Sequence, residues 1–198
     1  METARKLFDS WEPIIRKYGP DANIEIEMRL GRKTGTKFDT NIGPETFLTL
    51  RKALNAYDGW ESKTAKTYSV YYGSGNKRIT VDEATDESVA VVKSRVVTND
   101  FDLPGCPFDV RLGISREVPY EQDDEEMASV KEKRRWSFVR KNLSIDLSQI
   151  KGDPEDPDSD EDTSYQIELE IINPKTLGDR DALFALVYKI FNILECVT

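Results

Sequence analysis

The chain has 198 residues, with 28 lysines and arginines against 37 aspartates and glutamates for a formal charge of −9; 38% of it is hydrophobic and 33% charged. That length and apolar content suit one domain over residues 1–198 with a core of its own. Histidine is absent, which excludes Ser-His-Asp and Cys-His nucleophile systems, histidine zinc sites and histidine general bases, and leaves carboxylates, lysines, arginines and a hard metal ion as the means of any catalysis.

Residues 2–17 carry Leu7, Trp11, Ile14 and Ile15 at helical spacing and lack the apolar block of a signal peptide. Residues 23–31 alternate, with Glu25, Glu27 and Arg29 on one face and Ile24, Ile26, Met28 and Leu30 on the other. Residues 44–57 open on a proline and read as a second helix. Short alternating segments follow, with turns such as Gly73-Ser74-Gly75, and they predict a mainly antiparallel sheet. Arg78, Thr80 and Asp82 share a face of residues 76–82, and Lys93 and Arg95 share one of 89–97. Asp109, Arg111, Ser115 and Glu117 line one face of 108–118, and Lys131, Lys133 and Arg135 one of 130–138. Ser144 and Asp146 follow on 143–147, then Gln166, Glu168 and Glu170 on 165–172. Residues 177–194 form a third helix, with a broad apolar stripe that includes Leu183, Val187, Ile190 and Leu194.

Two acidic runs, near residues 121–127 and 151–163, carry more than the whole net charge and read as flexible loops. The second has oxygen ligands but lacks the glycine and closing glutamate of an EF-hand loop. Cys106 and Cys196 are too few for a disulfide framework or a thiolate zinc site. No apolar stretch approaches the roughly 18 to 20 residues of a membrane span. The expectation is a soluble, intracellular protein without a membrane partner.

Seven strands thus share one design, a charged face backed by an apolar one. Solvated faces usually mix signs, yet Glu168 and Glu170 are purely acidic, while Lys93/Arg95 and Lys131/Lys133/Arg135 are purely basic. Like charges side by side cost free energy, so something of opposite sign should relieve each set. A divalent cation would relieve the carboxylates, and a polyphosphate would relieve the bases. A closed antiparallel β-barrel of about eight strands, α+β in class, would turn the charged faces inward and pack the apolar faces against the three helices.

The residues also resemble a known group. Glu25-Ile26-Glu27-Met28-Arg29, the run Lys131-Glu132-Lys133-Arg134-Arg135-Trp136-Ser137-Phe138, and Ile167-Glu168-Leu169-Glu170-Ile171 resemble, in order, the three signature motifs of the triphosphate tunnel metalloenzymes. Within that superfamily they are most similar to the metal-dependent RNA 5′-triphosphatases of fungal and large DNA virus mRNA capping, and the compact viral form fits best. The resemblance implies an eight-stranded tunnel that removes the γ-phosphate from triphosphate-ended RNA by in-line attack of water, with NTP hydrolysis in Mn²⁺ as a side activity. It implies Mg²⁺ or Mn²⁺ as cofactor on Glu25, Glu27 and Glu170, and phosphate clamps from Arg78, Lys93, Arg95, Arg111, Lys131, Lys133 and Arg135. Glu117, with Glu168 as rival, would orient or activate the water, and Arg29, Asp82 and Asp146 would support the site. An RNA guanylyltransferase is the implied partner, and a monomer the expected state. Two positions depart from the family pattern: Gln166 stands where a glutamate is common, and Lys131 where the fungal pattern tends to have arginine. An inorganic tripolyphosphatase or thiamine triphosphatase of the same superfamily would keep the same clamps, and a polyphosphate-binding tunnel without hydrolysis would use the same cavity.

Overall fold

The computed structural model describes residues 1–122, 127–152 and 163–197. Most of both acidic runs therefore lies outside the described residues. In chain order the elements are α1 (Glu2–Tyr18), β1 (Ile24–Thr34), β2 (Lys37–Asp39), α2 (Pro44–Ala56), β3 (Ser62–Tyr72), β4 (Lys77–Asp82), β5 (Ser88–Phe101), β6 (Asp109–Pro119), β7 (Ser129–Arg140), β8 (Leu143–Lys151), β9 (Ser164–Ile171) and α3 (Arg180–Glu195), with a 3₁₀ turn at Ser74–Asn76. The strands run in the order β2-β1-β6-β5-β4-β3-β7-β8-β9, and β9 pairs back onto β1. Every pairing is antiparallel, so eight strands close a barrel while β2 folds over β1 alone as a short flap.

The expected closed barrel is present, and one wall of it explains how the helices lie. Ile26, Met28 and Leu30 of β1, Val110, Leu112 and Ile114 of β6, and Ile167, Leu169 and Ile171 of β9 point outward and are fully buried. They pack with Leu7, Trp11 and Ile15 of α1, Phe47 and Leu50 of α2, and Leu183, Val187 and Ile190 of α3 in one core. Each such side chain contributes about 1.5–3 kcal/mol by leaving water. The Trp11 indole N–H, which would otherwise be lost in that core, donates to Asn99 Oδ1 at 2.9 Å. Phe47 stands edge-on to Trp136 with ring centres 5.6 Å apart, tying α2 to the outside of β7.

The opposite wall is bare, and that accounts for a strand the alternation does not reveal. On β3, Lys63 and Ala65 point outward and are exposed, so the strand has no apolar face to pair with its polar one. Two boundaries also differ. A bulge between Arg95 and Val97 prolongs β5 to Phe101 and returns Thr98 and Asp100 to the face that carries Lys93 and Arg95. The third helix begins at Arg180 because Gly178 adopts φ +72°, and the Asp179 side chain caps the first turn by accepting the Ala182 N–H.

Candidate active site

Register builds the tunnel interior. Glu27 of β1 lies directly opposite Glu170 of β9, Arg29 opposite Glu168, and Glu25 opposite Ser115 of β6. Lys93 of β5 lies opposite Glu117, and Asp146 of β8 opposite Glu168. On the far wall β3 sets Tyr68 against Lys133 and Lys66 against Arg135. Gly113 faces Glu27, where a Cβ would come within 3.1 Å of a carboxylate oxygen, so a side chain at 113 would displace Glu27.

The charges form two networks. In the first, Arg78 Nη2 donates to Glu117 Oε1 at 2.6 Å and Lys93 Nζ approaches the same oxygen at 3.0 Å. Lys93 also donates to Glu25 Oε2, which accepts the Ser115 hydroxyl at 2.7 Å. In the second, Arg29 Nη2 bridges Glu27 at 2.9 Å and Glu168 at 2.7 Å. Lys133 and Arg135 stand 3.7 and 3.6 Å from the other Glu168 oxygen, and Arg135 Nη1 lies 3.6 Å from Asp146. The Ser144 hydroxyl donates to Asp146 at 2.7 Å.

These surroundings set the ionisation. Burial would push Glu168 up, but Lys133, Arg29 and Arg135 outweigh it and hold the carboxyl well below the usual range. Glu25 is lowered in the same way, with Lys93 and Ser115 overcoming burial. Glu27 is raised by burial, with Glu168 and Glu25 adding to it against Arg29. Glu170 makes no ion pair among the described residues; burial, Glu25 and Asp146 push it up to about 7. Lys133 is pulled down to about 8 by burial, with Arg135, Arg29 and Arg78 adding to it against Glu168.

The tunnel is therefore unfinished at both signs. The Nε–H groups of Arg29, Arg78 and Arg135 and the Ser148 hydroxyl are buried with no hydrogen-bond partner among the described residues. A cavity of about 430 Å³ opens beside Arg29, bordered also by Glu27, Lys93, Arg95, Arg111, Asn76 and Thr98. Among the described residues no group of three or more acids converges closely enough to be a formed cation site. The donor chemistry still suits a hard cation: Glu27 and Glu170 are opposed across a strand pair, Glu25 lies near them, and all offer oxygen.

Three expected site residues sit apart from the centre. Arg111 gives two hydrogen bonds to Asp100, at 2.6 and 2.8 Å, and stacks on Phe38 of β2 at 4.4 Å, so its guanidinium is held at the flap end. At the other end Asp82 pairs with the neighbouring cation of Lys66 at 2.6 Å and accepts the Ala84 N–H at 3.0 Å, fastening the β4–β5 turn. Arg95 is exposed at the cavity rim. Lys131 shares the face of Lys133, opposite Val70. Sequence reasoning missed Lys66, Tyr68, Asp100 and Ser148, all on the tunnel face by register. Parity on β8 would have reached Ser148, two residues beyond Asp146; Asp100 was hidden by the bulge.

Comparison with known proteins agrees with this interior. Residues 61–185 match the family model for the mRNA capping enzyme, beta chain. The mRNA-capping enzyme subunit beta of Yarrowia lipolytica is 26% identical over 112 residues, which are 56% of this chain and 27% of that protein, so the chain spans about a quarter of the length of that curated relative. The structure of the S. pombe Pct1 RNA triphosphatase superposes with a TM-score of 0.78 at 19% identity, covering 96% of this chain and 90% of that one. The Mimivirus capping enzyme triphosphatase gives 0.67 at 15% identity and covers 96% of each chain. At such identities the two structures share the tunnel fold, and the family match spans the strands from β3 to β9 that carry most of the paired charges. The chain therefore belongs to the mRNA capping enzyme beta chain family.

Proposed function

We propose that this tunnel removes the γ-phosphate from triphosphate-ended RNA in the presence of Mg²⁺ or Mn²⁺, leaving a diphosphate end for an RNA guanylyltransferase in mRNA capping. The observation that carries this reading is the set of three buried guanidinium Nε–H groups without partners among the described residues, around a lysine whose charge is opposed by burial. Unpaired buried donors cost free energy, and phosphate oxygens would satisfy them. Family membership supports the same substrate class.

Glu25, Glu27 and Glu170 would hold the divalent ion, which supplies a counter-charge for the phosphate among the carboxylates. Lys133, Arg135, Arg78 and Arg29 bind the phosphate oxygens and neutralise charge as it shifts toward the leaving diphosphate. Incoming phosphate competes with Glu117 for Arg78 and Lys93, freeing a Glu117 oxygen to accept a hydrogen bond from a water in line with the γ-phosphorus. Glu168 is the weaker candidate for that role. Three cations hold it ionised, and its work is to aim Lys133 and Arg135.

The test presents triphosphate-ended RNA, ATP and tripolyphosphate in parallel, with Mg²⁺ and with Mn²⁺, to wild type and to Glu25→Gln and Glu170→Gln. Metal-dependent phosphate release that favours RNA and is lost in both variants is the expected result. Cleavage of tripolyphosphate alone would make the protein an inorganic tripolyphosphatase, and tight binding without cleavage a polyphosphate sensor.

A further inference from the structure

A second cavity, of about 660 Å³, lies outside the barrel between the end of α2, the β7–β8 turn and α3. Its lining includes Leu54, Leu143, Ile145, Leu177 and Ile193, all at most 8% exposed, with Trp60 and the 43%-exposed Tyr57 along one wall. Leu186 and Ala185 of α3 also line it. An apolar hollow of this size on a folded surface marks a place where another chain docks.

The charges around it say which chemistry would fit. Arg140, Lys141 and Lys189 border the hollow, and none of its lining residues is a carboxylate, although acids outnumber bases 37 to 28 in the chain. The bases are also held in place. Arg140 donates to the Tyr57 hydroxyl and lies 5.6 Å over that ring. The Lys141 backbone N–H donates to the Glu61 carboxylate at 3.0 Å, which fixes the turn that carries the lysine. Lys189 Nζ bonds the neutral Asn192 at 3.2 Å.

We infer that this groove docks an acidic partner segment, one that inserts a bulky apolar side chain between Trp60 and Leu186 while its carboxylates meet Arg140, Lys141 and Lys189. The apolar anchor supplies most of the affinity, and the basic rim supplies orientation and selection against basic segments. The groove is formed by α2, α3 and the β7–β8 turn and shares no lining residue with the tunnel cavity, so docking leaves the hydrolytic residues untouched.

An array of short synthetic peptides tests this, varied independently in net charge and in one central residue, Leu or Ser, and read by anisotropy of a terminal dye. Acidic peptides with Leu are expected to bind, and the matched Ser and lysine-substituted peptides to bind about tenfold more weakly or not at all. Lys141→Glu/Lys189→Glu should invert the charge preference with an unchanged melting temperature, and Leu186→Ala should weaken binding of the Leu peptides about tenfold while the protein stays folded, each with unchanged phosphate release. Equal binding of acidic and basic peptides would overturn the inference, as would no binding of any, or sedimentation showing that a second copy covers the groove. Because the readout is peptide binding, loss of hydrolytic activity in a parallel assay would strike the tunnel reading alone.

Discussion

Arg135 turns its terminal nitrogens toward Asp146 and Glu168 and keeps its Nε–H buried without a partner among the described residues, so lysine at this position retains the charge but loses the fork. Arg135→Lys is expected to lower kcat/KM by about 10²-fold, as the loss of one aimed donor does elsewhere, with little change in melting temperature. Lys133 gives a pH test. Its charged form binds an anion, and burial brings its pKa down to about 8, so tripolyphosphate affinity of the metal-free protein should fall as pH rises through that value. Ionisation of Glu170 near 7 acts in the same direction by adding negative charge beside the cavity. Calorimetry in chelator should show the fall, with proton uptake on binding, and Lys133→Arg should retain affinity at the alkaline end. An affinity that rises with pH would mean that neither group faces the anion. Among the carboxylates, Glu168 and Glu117 were indistinguishable from sequence, because only the folded barrel reveals that three cations converge on Glu168.

At the level of elements, seven of the eight barrel strands are legible in the sequence, most plainly those packed against a helix. β1, β6 and β9 pair a charged inner face with Ile, Leu, Met or Val outside, and both faces leave a mark in the alternation. β3 left none, because its outer Lys63 and Ala65 meet solvent, and with it went Lys66 and Tyr68. The bulge in β5 hid Asp100 for a different reason: one inserted residue shifts parity, and nothing local in Arg95-Val96-Val97 announces it. The start of α3 depends on the cap at Asp179, which an apolar stripe does not encode. Removing that cap with Asp179→Ala should cost about 1 kcal/mol and lower the melting temperature by a few degrees, while tripolyphosphate binding stays as in wild type. A loss of binding in that variant would show that α3 and the tunnel wall are more tightly linked than their packing implies.

Across the whole molecule, the acidic balance of the sequence and the basic requirement of a phosphate site are reconciled by location. The chain carries a formal charge of −9, yet among the described residues the buried donors without a partner are three arginines and Ser148, all on the inner face of the barrel. Without a cation the tunnel also holds Glu27 opposite Glu170, a like-charge pair that opposes folding. Saturating Mg²⁺ or Mn²⁺ should therefore raise the melting temperature of wild type and leave a Glu25→Gln/Glu27→Gln/Glu170→Gln variant unmoved. In chelator Glu170→Gln alone should melt above wild type at pH above about 7, since it removes the repulsion and leaves the Lys93–Glu25 and Arg29–Glu27 pairs intact. A cation-induced rise of equal size in wild type and the triple variant would place the ion elsewhere.

The most direct test of the tunnel as a triphosphatase is the position of bond cleavage. Triphosphate-ended RNA is incubated with protein and metal in ¹⁸O-water, and both products are weighed by mass spectrometry. Water attack at the γ-phosphorus yields inorganic phosphate carrying one ¹⁸O and RNA with an unlabelled diphosphate end. Pyrophosphate with a monophosphate end would contradict it, and so would intact RNA recovered from folded protein that binds tripolyphosphate.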